Sequence, residues 1–157
     1  MKYSIALLAV LVIFLGAGLP AVDKEAPNFT LLDTKGKKVG LKDFKGKNVL
    51  LAFTTTWCPY CKLELNELKE MQKTYKSKGL EIVAIYLNEN PAKVAAYATA
   101  KEINYTVLVD PDGAVAREYN IFGVPTKVLV GKDGKIYCWM CRSMDVTLKK
   151  LLDGKKF

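Results

Sequence analysis

Two cysteines held two residues apart, in Trp57-Cys58-Pro59-Tyr60-Cys61, carry the most specific chemistry in this chain. An apolar run, Asn48 to Phe53, precedes them. After them Leu65, Leu68, Met71 and Tyr75 recur at steps of three and four, the spacing of one apolar helix face. A strand that delivers a thiol to the first turn of a helix sets it among unpaired backbone N–H groups at the positive end of the helix dipole, where a thiolate is favoured. Cys58 is therefore expected to be an exposed nucleophile with a depressed pKa. Cys61, one turn inside the helix, is placed to attack the mixed disulfide that Cys58 forms. The chemistry is thiol–disulfide exchange, which runs in either direction. Pro59 falls where its missing N–H costs the helix nothing.

A second pair, Cys138-Trp139-Met140-Cys141, lies near the end of the chain. In an extended strand, residues three apart lie about 10 Å apart and point to opposite faces, whereas a disulfide needs Cα atoms within about 7 Å. These two bridge only if the strand ends in a bulge or turn between them. Three readings stay open: inert, partly buried thiols, an auxiliary redox pair that exchanges with Cys58–Cys61, or metal binding by both pairs together. Knuckle spacing is missing for the last. The chain has no histidine, which removes the usual general base and zinc ligand and any Cys–His protease. No metal and no cofactor is expected. Thr55-x-x-Cys58 raises a thiol peroxidase alternative of the peroxiredoxin type, but Thr54 stands where that pattern has proline, and Arg117 and Arg142 are the only arginines.

The elements that must position these residues fit one domain, residues 22–157, within a chain of 157 residues. Residues 1–21 read as an address: a basic start at Lys2, an unbroken apolar run from Ile5 to Leu15 and a small-residue close at Gly16 to Ala21. The run is shorter than the ~20 residues of a comfortable transmembrane helix, so both a cleaved signal peptide and a retained anchor are consistent with it. Export is expected, to a compartment where cysteine pairs can cycle. The net charge of +8 is spread over scattered lysines, which indicates a solvated surface and no nucleic-acid partner.

An extended segment from Ala26 to Asp33 and a short strand from Val39 to Leu41 form a small hairpin around Thr34 to Lys37. Asp43 to Lys47 is a connecting turn. Val49 to Phe53 and Leu80 to Leu87 are apolar without alternation, as strands covered on both faces are. With the intervening helix to Lys78 and its Gly79 cap they make a parallel strand–helix–strand unit. A helix from Pro91 to Lys101, a short extended piece at Val107 to Val109 and a brief helix at Ala114 to Tyr119 follow. A hairpin of Lys127–Val130 with Lys135 to about Met140 turns on Asp133-Gly134, and a helix over Val146 to Leu152 ends the pattern.

Taken together, these residues resemble the thioredoxin superfamily, and within it the exported TlpA/ResA-like group. The carriers are Ala26-Pro27-x-Phe29-x-Leu31-x-Asp33-x-x-Gly36, Leu41-x-x-Phe44-x-Gly46-Lys47, Phe53-x-x-x-Trp57-Cys58-Pro59-x-Cys61-x-x-Glu64, Gly123-Val124-Pro125-Thr126 and Asp133-Gly134-Lys135. The resemblance implies an α/β fold, thioredoxin-like, with a central mixed sheet flanked by helices and an added N-terminal β-hairpin. It implies a cis Val124–Pro125 bond facing the two cysteines, and substrate contact at Trp57, Pro59, Tyr60, Val124 and Pro125, with Trp57 packed beside the sulfurs. It also brings the end of the last strand near that proline, with Cys141 closer to it than Cys138. The buried aspartate of thioredoxins is Ala52 here. Glu89 occupies the place of a glutamate that serves the site in ResA-like members, where a raised pKa would let it shuttle protons; a solvated loop glutamate is the other reading. The implied partners are protein disulfides or dithiols outside the cytoplasm, among them apocytochrome cysteines, together with a membrane electron donor. The protein is expected to be a monomer with membrane association through the N-terminal segment. A membrane-tethered binding module that keeps the fold as a scaffold is the non-enzymatic alternative.

Overall fold

The structure, a computed structural model, describes residues 22–141 and 144–152. The expected signal or anchor segment, residues 1–21, lies outside the described residues, as does Arg142.

Seven strands form one sheet: β1 (Thr30–Asp33), β2 (Lys38–Gly40), β3 (Asn48–Thr54), β4 (Leu80–Leu87), β5 (Thr106–Asp110), β6 (Thr126–Val130) and β7 (Ile136–Trp139). Their order is β2-β1-β5-β4-β3-β6-β7, with β3, β4 and β5 parallel and the remaining pairs antiparallel. Four helices accompany it: α1 (Pro59–Tyr75), α2 (Pro91–Ala100), α3 (Ala114–Glu118) and α4 (Met144–Leu152).

β3 shows why its run is apolar throughout. Val49, Leu51 and Phe53 pack on one face with Phe29, Val115 and Tyr119, while Leu50 and Ala52 pack on the other with Leu68, Met71, Met144 and Leu148. The period of two divides the strand between the two layers. α1, α2 and α4 thus cover one face, and α3 covers the other. Gly79 ends the α1 segment with φ of +86°, the left-handed cap that glycine takes without steric penalty.

The structure extends two expectations. The hairpin β1–β2 is not a separate appendage: Leu32 and Asp33 pair with Val109 and Leu108, so it continues the main sheet. The short piece at 107–109 is a parallel strand beside β4. Part of the turn expected at 43–47 is a 3-10 helix, Leu41–Phe44, whose Asp43 carboxylate accepts from the Gly40 N–H at 2.8 Å.

Candidate active site at the start of helix α1

Parallel pairing of β3 with β4 and antiparallel pairing with β6 bring three segments to one end of the sheet: the Thr54–Cys58 turn, the Asn88–Asn90 turn and the Gly123–Thr126 entry to β6. Cys58 is the N-cap residue of α1, with extended backbone (φ −69°, ψ 121°), and its sulfur accepts the Cys61 N–H at 3.2 Å. This backbone donor is what a thiolate at Sγ would be stabilised by. The same sulfur lies 3.9 Å from the Val124 carbonyl, and the Val124–Pro125 peptide is cis.

Cys58 is not exposed as the sequence suggested: it is only 4 % accessible. The Val124 carbonyl and the first turn of α1 lie over the sulfur, a cover supplied from 66 residues away. Trp57 occupies the bend ahead of the helix and stands 63 % exposed. Tyr60, on the first turn, is exposed too.

Cys61 is buried and lines a small enclosed pocket with Ala52, Thr55, Glu64, Leu65 and Tyr86. Burial, then the contact with Cys58, pushes its thiol up to about 11, against the lowering effect of hydrogen bonds from Thr54 and the Thr55 backbone. The two thiols are therefore unequal: one is capped by a backbone N–H, and the other holds its proton through the neutral range. Tyr86 and Tyr105, on the same pocket, are held protonated by burial.

Glu89 belongs to this end of the sheet, but not in the state expected. Its side chain is 2 % exposed. It accepts from the Thr56 N–H at 2.6 Å, the Thr56 hydroxyl at 2.5 Å and the Lys93 ammonium at 2.8 Å. Burial alone would raise its pKa, yet the Lys93 and Thr56 hydrogen bonds outweigh burial and hold it below the ordinary carboxylate value. The expected raised pKa is corrected, and so is the solvated loop: Glu89 is an ionised tether on the residue two before Cys58. The local cause is a left-handed Asn88 (φ 52°) that turns the chain, after which Asn90 caps α2 and Lys93 falls one turn on.

In the sequence Glu64 stands out only as part of the cysteine motif. In the structure it is ion-paired with Lys127 at 2.6 Å beside the Cys61 pocket, three residues after Cys61 on the same helix face. Phe122, which carries no motif in the sequence, lies exposed with Met140 on a groove that runs past Val124 and Pro125.

Cys138 and Cys141 are bonded to each other, which corrects the reading as inert free thiols. β7 stops at Trp139 and Met140 takes φ of +53°, so the Cα atoms come within 5.6 Å instead of the extended-strand distance. Cys138 pairs with Leu129, and the Cys141 N–H donates to the Lys127 carbonyl, which puts Cys141 two residues along β6 from Pro125. Among the described residues, no three cysteines and carboxylates gather as a metal site.

A strand feeding a C-x-x-C helix, opposed by a cis-proline loop on a neighbouring strand, defines the thioredoxin-like class. The chain belongs to the AhpC/TSA family, whose model matches residues 22–138. It is similar to the thiol-disulfide oxidoreductase ResA of Bacillus thuringiensis subsp. konkukian, with 40% identity over 115 residues that cover 73% of this chain and 66% of that one. Against ResA of Bacillus subtilis the identity is 37% over 79% of this chain and 69% of the relative. The chain thus spans about two-thirds of the length of these relatives. Among solved structures, a thiol:disulfide interchange protein from Bacteroides sp. superposes with a TM-score of 0.77 at 29% identity, covering 87% of this chain and 93% of its own. A thioredoxin family protein from Chlorobium tepidum gives 0.74 at 28%, covering 84% and 98%.

Proposed function

We propose that this chain is an exported thiol–disulfide oxidoreductase that works on the cysteines of other extracytoplasmic proteins. Cys58 attacks a substrate disulfide and forms a mixed disulfide. Cys61 gives up its proton, attacks Cys58 Sγ and releases the reduced substrate, leaving Cys58–Cys61 oxidised. The observation that carries this reading is the pair of contacts on one sulfur: the Cys61 N–H at 3.2 Å, and the Val124 carbonyl at 3.9 Å from a loop that presents backbone to an incoming strand. Trp57, Tyr60, Pro59, Val124 and Pro125 form the substrate rim in this reading. Trp57 and Tyr60 give it exposed aromatic surface, and Glu89 positions the turn through Thr56.

Resemblance to the TlpA/ResA-like group supports a narrower assignment: reduction of apocytochrome cysteines before haem attachment, with electrons returned by a membrane donor. The apolar stretch in residues 1–21 supports export, and the domain is assigned as a monomer. Among the described residues no helix is long and apolar enough to cross a membrane. The peroxidase alternative is disfavoured because Arg117 is turned to the Asp112 carbonyl at 2.7 Å, in the α3 turn. The scaffold alternative is disfavoured by two intact thiols at a helix start. Insulin-disulfide reduction tests the reading: Cys58→Ser is expected to lose turnover, and a rate equal to that of the wild type would refute it.

A further inference from the structure

Exchange at Cys58–Cys61 makes no use of the second cysteine pair. Its disulfide closes a ring of only four residues. Chain-entropy stabilisation by a disulfide grows with the loop it closes, so this ring is among the weakest staples a chain can hold. It also lies at the end of β7, the edge strand, where the Trp139 indole N–H donates on the opposite face to the Tyr119 carbonyl at 3.0 Å.

The two sulfurs are unequal in the way an exchanging pair requires. Cys138 is half-buried and reachable, whereas Cys141 is buried against Leu129, Met144 and Leu148. The pair shares its surroundings with the first. Ala52 and Leu68 line the pocket of Cys61 and also pack in the cluster that contains Cys141 and Cys138. One strand, β6, separates them: its Lys127 pairs with Ala52 and its Leu129 with Cys138.

We infer that Cys138–Cys141 is a second exchangeable disulfide, a two-electron store served by the Cys58–Cys61 dithiol. This rests on the reading of Cys58–Cys61 as an exchanging pair. In the step, the Cys58 thiolate attacks Cys138 Sγ. The Cys138–Cys141 bond breaks, and Cys141 leaves as a thiolate and takes up a proton. Cys61 then loses its proton and attacks Cys58 Sγ, and Cys138 leaves as the second thiolate and is protonated. Two electrons pass from the first pair to the second. The two protons lost by Cys58 and Cys61 are balanced by those taken up at Cys141 and Cys138.

The test starts from the full chain with both pairs oxidised and adds one equivalent of dithiothreitol. Samples are quenched in acid at successive times and differentially alkylated, and each pair is read by peptide mass spectrometry. Thiols are expected first at Cys58 and Cys61 and then at Cys138 and Cys141, with the second phase at least tenfold slower in Cys58→Ser. Equal rates in the two proteins would overturn the inference, as would a Cys138–Cys141 bond that survives full reduction of Cys58–Cys61. A Cys61→Ser chain gives an independent reading: a Cys58–Cys138 linked peptide, within one chain or between two, supports the exchange, and its absence after quenching overturns it. Insulin reduction by Cys138→Ser/Cys141→Ser separates this inference from the one beneath it. Turnover is expected to be retained there, so that failed exchange between the pairs of the wild type removes the electron store and leaves the oxidoreductase standing.

Discussion

Replacing Glu89 tests whether the end of the sheet is held by an ionised carboxylate. The side chain is 2 % exposed and accepts three hydrogen bonds, two of them from Thr56, which is itself buried. Glu89→Ala leaves the Thr56 N–H and hydroxyl without partners, at about 1–3 kcal/mol for each orphaned group. The Lys93 contact adds little, because Lys93 is 57 % exposed and its charge is screened. The expected loss is therefore about 3–5 kcal/mol. Glu89→Gln keeps a neutral acceptor for the Thr56 N–H, and about 2 kcal/mol is expected from the weaker neutral bonds. Denaturant unfolding of the reduced protein at neutral pH, with the slope unchanged, measures both.

The pH dependence has a definite sign. A folded-state pKa below the ordinary value of 4.5 means that the contribution is present above that value and disappears as pH falls through the folded pKa. The gap between wild type and Glu89→Gln should accordingly narrow as pH falls below 4.5 toward the folded pKa. A loss under about 1 kcal/mol for the alanine variant, or a gap as wide at pH 3 as at pH 7, would show that Glu89 is not an ionised tether.

Two further outcomes follow from the site. Cys61, raised by burial from 9.0 to about 11, contributes stability that is full below pH 9 and is lost as pH rises through about 11. Ultraviolet thiolate absorbance of the reduced protein should show one thiolate forming only near the upper value, and Cys61→Ser should remove that step. Glu64→Gln takes the partner from Lys127, whose side chain is 12 % exposed, and is expected to cost about 1–3 kcal/mol in denaturant unfolding; a negligible loss would class the bridge with ordinary surface pairs.

What the sequence revealed and what it withheld divide along physical lines. β3, β4 and α1 were legible because their patterns are local: unbroken apolar runs for strands buried on both faces, and a three-four period for a helix with one buried face. β5 looks short in sequence because Val107-Leu108-Val109 is a small apolar core, and its ends gain strand geometry only from pairing with β4 and β1. The cover on Cys58 was not legible, since it comes from Val124, far along the chain. The direction of the Glu89 shift depends on Thr56 and Lys93 converging on it, although the four-residue spacing to Lys93 was a usable hint. The disulfide at Cys138–Cys141 turns on one left-handed residue, Met140, for which the type gives no warning.

The central assignment is that Cys58 is the attacking sulfur and Cys61 the resolving one. It is tested most directly by trapping. The Cys61→Ser chain, incubated with a disulfide-bonded peptide and quenched in acid, should carry a mixed disulfide on Cys58 that persists because nothing resolves it. A Cys58 that remains a free thiol while the peptide disulfide is consumed would contradict the assignment.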